Sequence, residues 1–355
     1  MVYKPIILNI KGMVNDMTLK DIAEKAGVSM MTVSNVINGK HNRVSAKTIE
    51  HVNAIIEEYG YVPNLSARSL TNKTTNIIGI IISWGEADSQ ENYLENPYIS
   101  TMIGTIEQKI RAQGYYILVR SIYCQTDLTT LLKNWSVDGI IFLYPNCDYY
   151  LESFLPSAPC PVAIFDSSIE SPDLINICSD DRKGMYLSTK YMINSGHNQI
   201  AFVGDRSTGD VVQRRFEGYR QALEDSGIPF RPELVFPYHI SYEGGIAAGK
   251  ALASAHSRVT AAVTTADICA IGIMEGARLG GCRVPVDLSV MGYDNLPLCQ
   301  YTYPKLSSVS QDITAKASMA AQLLLEKIQT GTLSQPAKVM MDVEIVARQS
   351  VVSLF

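Results

Sequence analysis

Four aspartates stand directly after short apolar runs: Asp166 after Pro-Val-Ala-Ile-Phe, Asp205 after Ile-Ala-Phe-Val-Gly, Asp267 after Val-Thr-Thr-Ala and Asp294 after Val-Met-Gly-Tyr. Ionised carboxylates only accept hydrogen bonds, so such a set suits a ligand rich in hydroxyl donors. Enzyme patterns are missing from the sequence, which has no G-x-S-x-G, no H-E-x-x-H and no G-x-G-x-x-G. Gly244 to Ala251 almost spells a phosphate-binding loop, but alanine occupies 251, where a hydroxyl must hold magnesium. His197 follows Gly196 at a helix end, where a cation complements the helix dipole, and reads as structural. The seven cysteines form no C-x-x-C pair and no metal-ligand spacing with histidine, so they read as reduced thiols of a cytoplasmic protein. No catalytic residue, metal or cofactor is expected.

A second chemistry lies near the start of the chain. Met30, Met31, Ser34, Asn35 and Asn38 share one face of a short helical pattern whose other face carries Val33, Val36 and Ile37. Residues 1 to 75 hold nine Lys/Arg against six Asp/Glu, so the other 280 residues carry −8 of the net charge of −5. A small basic head on a larger acidic body points to nucleic acid as a partner of the head alone.

The elements that must position these residues follow from caps and periodicity. Thr18 with Asp21 starts a helix carrying Leu19, Ile22, Ala23 and Ala26, which Gly27 stops; Ser29 caps a second; a third runs from Ser45 to Tyr59 with Ile49, Val52, Ile56 and Tyr59 on one side, before Gly60. Two short helices joined at a glycine, closed by a third, make a helix-turn-helix, whose second helix enters the major groove. A plain helical bundle is the competing reading.

Beyond Lys73 come short apolar runs, at Ile77 to Ile82, Tyr115 to Val119, Gly139 to Tyr144, Val162 to Phe165, Ile200 to Gly204, Ala261 to Thr265 and Leu288 to Gly292, separated by helical stretches. They read as buried parallel strands of a doubly wound α/β fold, whose ligands bind beyond the carboxyl ends of the strands. No run of about 18 apolar residues occurs, so no membrane span is expected.

The stretch Thr18-Leu-Lys-Asp-Ile-Ala-Glu-Lys-Ala-Gly-Val-Ser29, then Thr32-Val-Ser-Asn-Val-Ile-Asn-Gly39 and Tyr61-Val-Pro-Asn64, resembles the DNA-binding head of the lactose-repressor (LacI/GalR) family. The resemblance continues through Ala67-Arg-Ser-Leu70, Ser136-Val-Asp-Gly-Ile140, Ser195-Gly-His-Asn-Gln-Ile-Ala-Phe-Val-Gly204 and Val290-Met-Gly-Tyr-Asp294. It implies a helix-turn-helix head (17–62), a hinge helix and linker (63–75), and a periplasmic-binding-protein-like core. Its first lobe is expected at 76–178 and 308–337, its second at 179–307 and 338–355. Residues 1–16 fall outside it and read as a disordered extension or mis-assigned start, or as an arm whose Lys4 and Lys11 reach phosphates.

By the resemblance, Met30, Met31 and Asn35 fall on base-reading positions. Asparagine stands where arginine is usual, and asparagine matches adenine rather than guanine. Ser29, Thr32, Ser34, Asn38, Ser45, Thr48, Tyr61 and Asn64 resemble backbone-contacting residues, although Ser29 and Ser45 are explained equally well as helix caps. Ala67 and Leu70 match the hinge, where a leucine opens a minor-groove step; an ordinary linker leucine is the alternative. Asp166, Arg215 and Asp294 match effector contacts, or else form a structural ion pair. Pro97 and Tyr98 match an Asn-Pro-aromatic entry. Val211, Ile240 and Ala266 occupy effector positions but depart from the usual hydroxyl, aromatic and asparagine. The implied protein is a cytoplasmic, nucleoid-associated homodimeric repressor with a pseudo-palindromic DNA operator, a sugar-like effector and no membrane partner. A phosphorylated sugar-transport carrier protein is a further partner of some relatives. A solute-binding protein without DNA function is the alternative.

Overall fold

The computed structural model describes residues 17–61 other than 38 and 40, together with 74–83, 92–122, 125–143, 148–254 and 259–355. The chain divides into two compact units, residues 1–75 and 76–355.

In the first unit the helices are α1 (Leu19–Ala26), α2 (Met30–Ile37) and α3 (Ala46–Tyr59). The capping box forms: the Asp21 amide donates to Thr18 Oγ1 and the Thr18 amide to Asp21 Oδ2. Gly27 and Gly60 take left-handed conformations at φ 62° and 60°, which a side chain would strain. Ile22, Ala23, Val33, Val36, Val52 and Ile55 form the small core. Ile55 is buried, whereas Ile56 packs only partly buried against the same core.

The second unit holds two six-stranded sheets. The first runs β11–β5–β4–β3–β1–β2, with β1 Ile77–Ser83, β2 Tyr116–Ile122, β3 Gly139–Leu143, β4 Val162–Phe165, β5 Ile175–Ser179 and β11 Lys338–Met341, all parallel. The second runs β12–β10–β9–β8–β6–β7, with β6 Ile200–Val203, β7 Val235–Phe236, β8 Ala261–Thr264, β9 Ser289–Asp294, β10 Ser307–Ser310 and β12 Glu344–Val346; only β12 is antiparallel. Helices Pro97–Arg111 and Ile313–Thr330 cover one face of the first sheet, and apolar residues from Gln125–Asn134 and Asp148–Phe154 the other. Helices Asp181–Asn194 and Asp210–Glu224 oppose Tyr242–Ser254 and Asp267–Leu279 across the second. Each lobe is doubly wound.

Several expectations need correction. Strand β10 lies in the second sheet and β11 in the first, so the last two crossings fall after Ser310 and after Met341, later than the boundaries drawn at 308 and 338. Ser-Ser-Val-Ser and Lys-Val-Met-Met are strands because neighbours take their backbone bonds, which hydropathy does not signal. Strand β2 is an edge, with Tyr116, Leu118 and Arg120 exposed in alternation. His197 is buried: Nε2 donates to Val352 O at 3.1 Å while Nδ1 meets the Thr260 hydroxyl at 2.9 Å, and burial lowers its pKa. It is a neutral ring bolting the C-terminal segment to the lobe, not a cation on a helix dipole. The near-phosphate loop lies within or beside helix Tyr242–Ser254. A Cβ at Gly245 or Gly249 would strike backbone of helix Asp267–Leu279, so these glycines serve close helix packing. The five described cysteines are free thiols. Among the described residues no helix is long and apolar enough to cross a membrane.

Candidate DNA face and effector cavity

On α2, Met30 and Met31 are 52% and 70% exposed, while Val33 and Val36 are buried, so two large apolar side chains are held out of the small core. Ser34 and Asn35 lie half-buried on the same helix. Ser29 Oγ accepts from the Thr32 amide at 3.1 Å and Ser45 Oγ from the Thr48 amide at 3.2 Å, with each serine hydroxyl also bonded to that threonine's hydroxyl. The capping account of both serines is therefore realised. Tyr61 is half-buried beside the small core. Asn38, Asn64, Ala67 and Leu70 lie outside the described residues, as do 1–16 and most of the hinge segment.

In the second unit, Pro97, Tyr98, Asp166, Val211, Arg215, Ile240, Ala266 and Asp294 all line one cavity of about 230 Å³. Its wall draws on both lobes. Tyr98 sits in the first turn of helix Pro97–Arg111, where Asn96 Oδ1 accepts from the amides of Tyr98 and Ile99. Asp166 follows β4 and Asp294 ends β9, at φ 54° and 115°, in the left-handed half of conformational space, where non-glycine residues concentrate at functional sites. Ala266 is the N-cap residue of helix Asp267–Leu279 and supplies no side-chain cap. Met102, Leu143, Phe165, Ile268 and Leu296 add apolar wall, and Asn96, Ser168, Thr208, Asp210, Thr265 and Gln311 add polar groups.

Two aspartates flagged with these do not line it. Asp267 turns into the lobe, accepting from the Leu296 amide at 2.7 Å and the Ser308 hydroxyl at 2.6 Å, so it anchors the loop after Asp294. Asp205 accepts from the Ser207 amide and hydroxyl and so closes its own short turn.

Three further residues organise the cavity. Asp181, buried at the start of helix Asp181–Asn194, takes Arg215 Nε at 2.9 Å and Arg214 Nη2 at 3.0 Å. Arg215 also donates to the Thr265 carbonyl and stacks 3.6 Å from the Tyr293 ring centre. Burial opposes its charge, yet Asp181 outweighs that and its pKa rises. Lys316, buried on helix Ile313–Thr330, donates to Asp166 Oδ1 at 2.7 Å and to Ser179 Oγ at 2.9 Å. Gln311 joins Lys316 Nζ, which it accepts at 3.3 Å, to the Asp294 carboxylate, to which it donates. Burial, and then repulsion from Asp267, pushes Asp294 up to about 8; burial pushes Asp267 to about 6. Burial, then Asp166 and Asp294, raises the Tyr98 phenol, so it stays a neutral donor. Sequence reasoning passed over Asp181, Gln311 and Lys316. Lys316 carried a signal, as the one charge between Ile313 and Leu325 in an otherwise apolar helical pattern.

Known families and proteins match both units. Residues 18–64 match the model "Bacterial regulatory proteins, lacI family", and residues 189–351 the "Periplasmic binding protein-like domain". The ribose operon repressor of Haemophilus influenzae is 30% identical over 342 residues, covering 95% of this chain and 99% of its own. The chain belongs to the LacI family. Another relative, the HTH-type transcriptional repressor PurR of Vibrio vulnificus, is 32% identical over 316 residues, 88% of this chain and 92% of its own. Among solved structures, the lac repressor dimer bound to operator and the anti-inducer ONPF superposes with a TM-score of 0.81 at 27% identity, over 95% of this chain and 99% of that one. A LacI family regulator from Enterococcus faecium with bound ribose gives 0.69 at 26% identity, over 79% and 100%. This LacI-family chain is a transcriptional repressor with a DNA-binding head and an effector-binding core, and not an enzyme. The alternative of a solute-binding protein without DNA function is set aside by the match of the head.

Proposed function

We propose that the chain is a homodimeric repressor, working in the cytoplasm on the nucleoid, that grips a pseudo-palindromic operator through two heads and hinge segments (63–75) and answers to a sugar-like effector between its lobes. The observation that carries this reading is the convergence of eight candidate effector residues, drawn from separate stretches of sequence, on one cavity. Both lobes contribute to its wall, and a ligand can shift their angle only by binding one arrangement more tightly than the other. The supporting relatives include a repressor dimer on its operator and a regulator holding ribose.

In the head, Met30, Met31 and Asn35 take the base edges, with Asn35 pairing adenine N6/N7 and the methionines meeting apolar base atoms. Ser29, Thr32, Ser34, Asn38, Ser45, Thr48, Tyr61 and Asn64 hold the backbone, and Ala67 and Leu70 act at the minor groove. Nothing in the geometry favours control by a phosphorylated carrier protein over control through the cavity.

The test is selection of binding duplexes from a randomised pool with the full-length protein, repeated with D-ribose present. A pseudo-palindrome with adenine under Asn35, whose occupancy changes on adding ligand, supports the reading. Salt-sensitive binding without any motif, with and without ligand, overturns it.

A further inference from the structure

The polar lining of the cavity carries three carboxyl groups, Asp166, Asp210 and Asp294, the last held in its uncharged form by burial, against one guanidinium, Arg215. Among the described residues, every cation at or behind that lining is already matched. Arg215 serves Asp181 and the Thr265 carbonyl. Arg214 serves Asp181 and, at 2.8 Å, the Asp166 carbonyl. Lys316 lies against both carboxylate oxygens of Asp166 and spends its remaining protons on Ser179 and Gln311.

Helix ends modify this balance only weakly. Gly209 and Ala266, both in the lining, are N-cap residues without a side-chain cap, so the amides beyond them are open donors. A helix N-terminus amounts to about half a positive charge, and each of these two carries an aspartate in its first turn. What is left is hydrogen-bonding capacity without net charge. The Thr265 hydroxyl, buried, in a lining residue and without a partner, adds one more donor and acceptor. An anion entering here meets, among the described residues, no unmatched cation, and only neutral donors offset the hydration it loses. A cation meets Asp166 already neutralised by Lys316, Asp294 uncharged and Asp210 exposed to water at the rim, with Lys316 and Arg215 repelling it.

Resting on the effector reading above, we propose that the cavity selects uncharged effectors and excludes their phosphorylated, carboxylated and amino derivatives, with Lys316 the specificity-determining residue because it cancels Asp166. Thermal shift and calorimetry on the full-length protein test this with matched sets. D-ribose, D-glucose and adenosine are each set beside their phosphate esters, D-glucose also beside gluconate and glucosamine, and inorganic phosphate beside chloride at equal ionic strength. The expected result is that any parent that binds does so at least about tenfold more tightly than its charged derivatives, and that inorganic phosphate is inert. A charged derivative that matches or beats its parent overturns the proposal, as does specific stabilisation of the native protein by phosphate.

Variants separate this from the reading beneath it. In Asp166→Asn the Lys316 ammonium loses its matching charge, so phosphate should now stabilise the protein, and the Asp166→Asn/Lys316→Met double variant should lose that response. No phosphate response in the single variant overturns the role of Lys316. If no parent compound binds but the response still switches on in Asp166→Asn and off in the double variant, the charge rule stands and the sugar-like effector is what fails.

Discussion

In the head, the methionines of α2 stand in solvent and the serine and threonine hydroxyls close bonds three residues along the same helix. In the core, Lys316 and Asp181 are buried and bond to partners far away in sequence, Lys316 reaching Asp166 across 150 residues. The head therefore ties its hydroxyls up locally and holds its methionines out toward solvent, on a basic unit that suits a partner bringing its own charges, as a nucleic acid does. The core instead matches its charges internally, leaving a cavity with oriented dipoles but little net field. One region is built for a highly charged ligand and the other for a ligand that replaces water.

The largest effect should come from breaking that internal match. Lys316→Met leaves Asp166 largely buried and unpaired and is expected to lower stability by about 3 to 5 kcal/mol, read by urea unfolding of the full chain. The Asp166→Asn/Lys316→Met double variant should recover most of it. A single variant as stable as the native protein would mean that the core, like the head, leaves its charges to solvent.

Proton linkage sharpens the contrast, because its sign differs between the regions. The folded core raises Asp294 and Asp267, so it holds protons that an unfolded chain releases. Stability present below the unfolded carboxylate pKa of about 4 is lost as pH climbs toward about 6 for Asp267 and about 8 for Asp294, by up to about 1.4 kcal/mol per pH unit for each proton. Asp294→Asn should flatten the fall, measured by core melting temperature across that range. In the head, Asp21 is held below its ordinary value by hydrogen bonds from Thr18. Its contribution is present above the unfolded pKa and is lost as pH falls, the reverse of the Asp294 contribution, which is read as the difference between native and Asp294→Asn core melts on acidification.

On DNA, Asn35→Arg should move the preferred base beneath it from adenine to guanine, a change of about 1 to 3 kcal/mol in discrimination, read by repeating the duplex selection. An unchanged motif would remove Asn35 from the reading face. The smallest expected effect is on a cap: Ser45→Ala should cost the head about 1 kcal/mol, seen as a lower head melting temperature with the core transition unmoved.

The pattern of what was legible follows the same division. Caps, glycine stops and the apolar stripe of the head are contacts three or four residues apart, so Thr18, Gly27, Ser45 and Gly60 could be placed from the sequence. Core strands with continuous apolar runs were equally plain, but β10 and β11 were not, since Ser-Ser-Val-Ser owes its state to the strands on either side. Among the four strand-end aspartates position after a strand could not choose, and only the family resemblance singled out Asp166 and Asp294. Asp166 and Asp294 line the cavity, whereas Asp267 turns to the Ser308 hydroxyl and Asp205 to its own turn.

Taken by itself, the sequence determined the class of fold, the helix-turn-helix head and the strands whose ends carry polar side chains, because periodicity, capping and turn chemistry act over a few residues. Tertiary structure alone decided which charges cancel: that Asp166 belongs to Lys316, that Asp181 holds two arginines, and that Gln311 ties Asp294 to the same network. Electrostatic pairing depends on distance in space and on burial, and the chain supplies neither until it has folded.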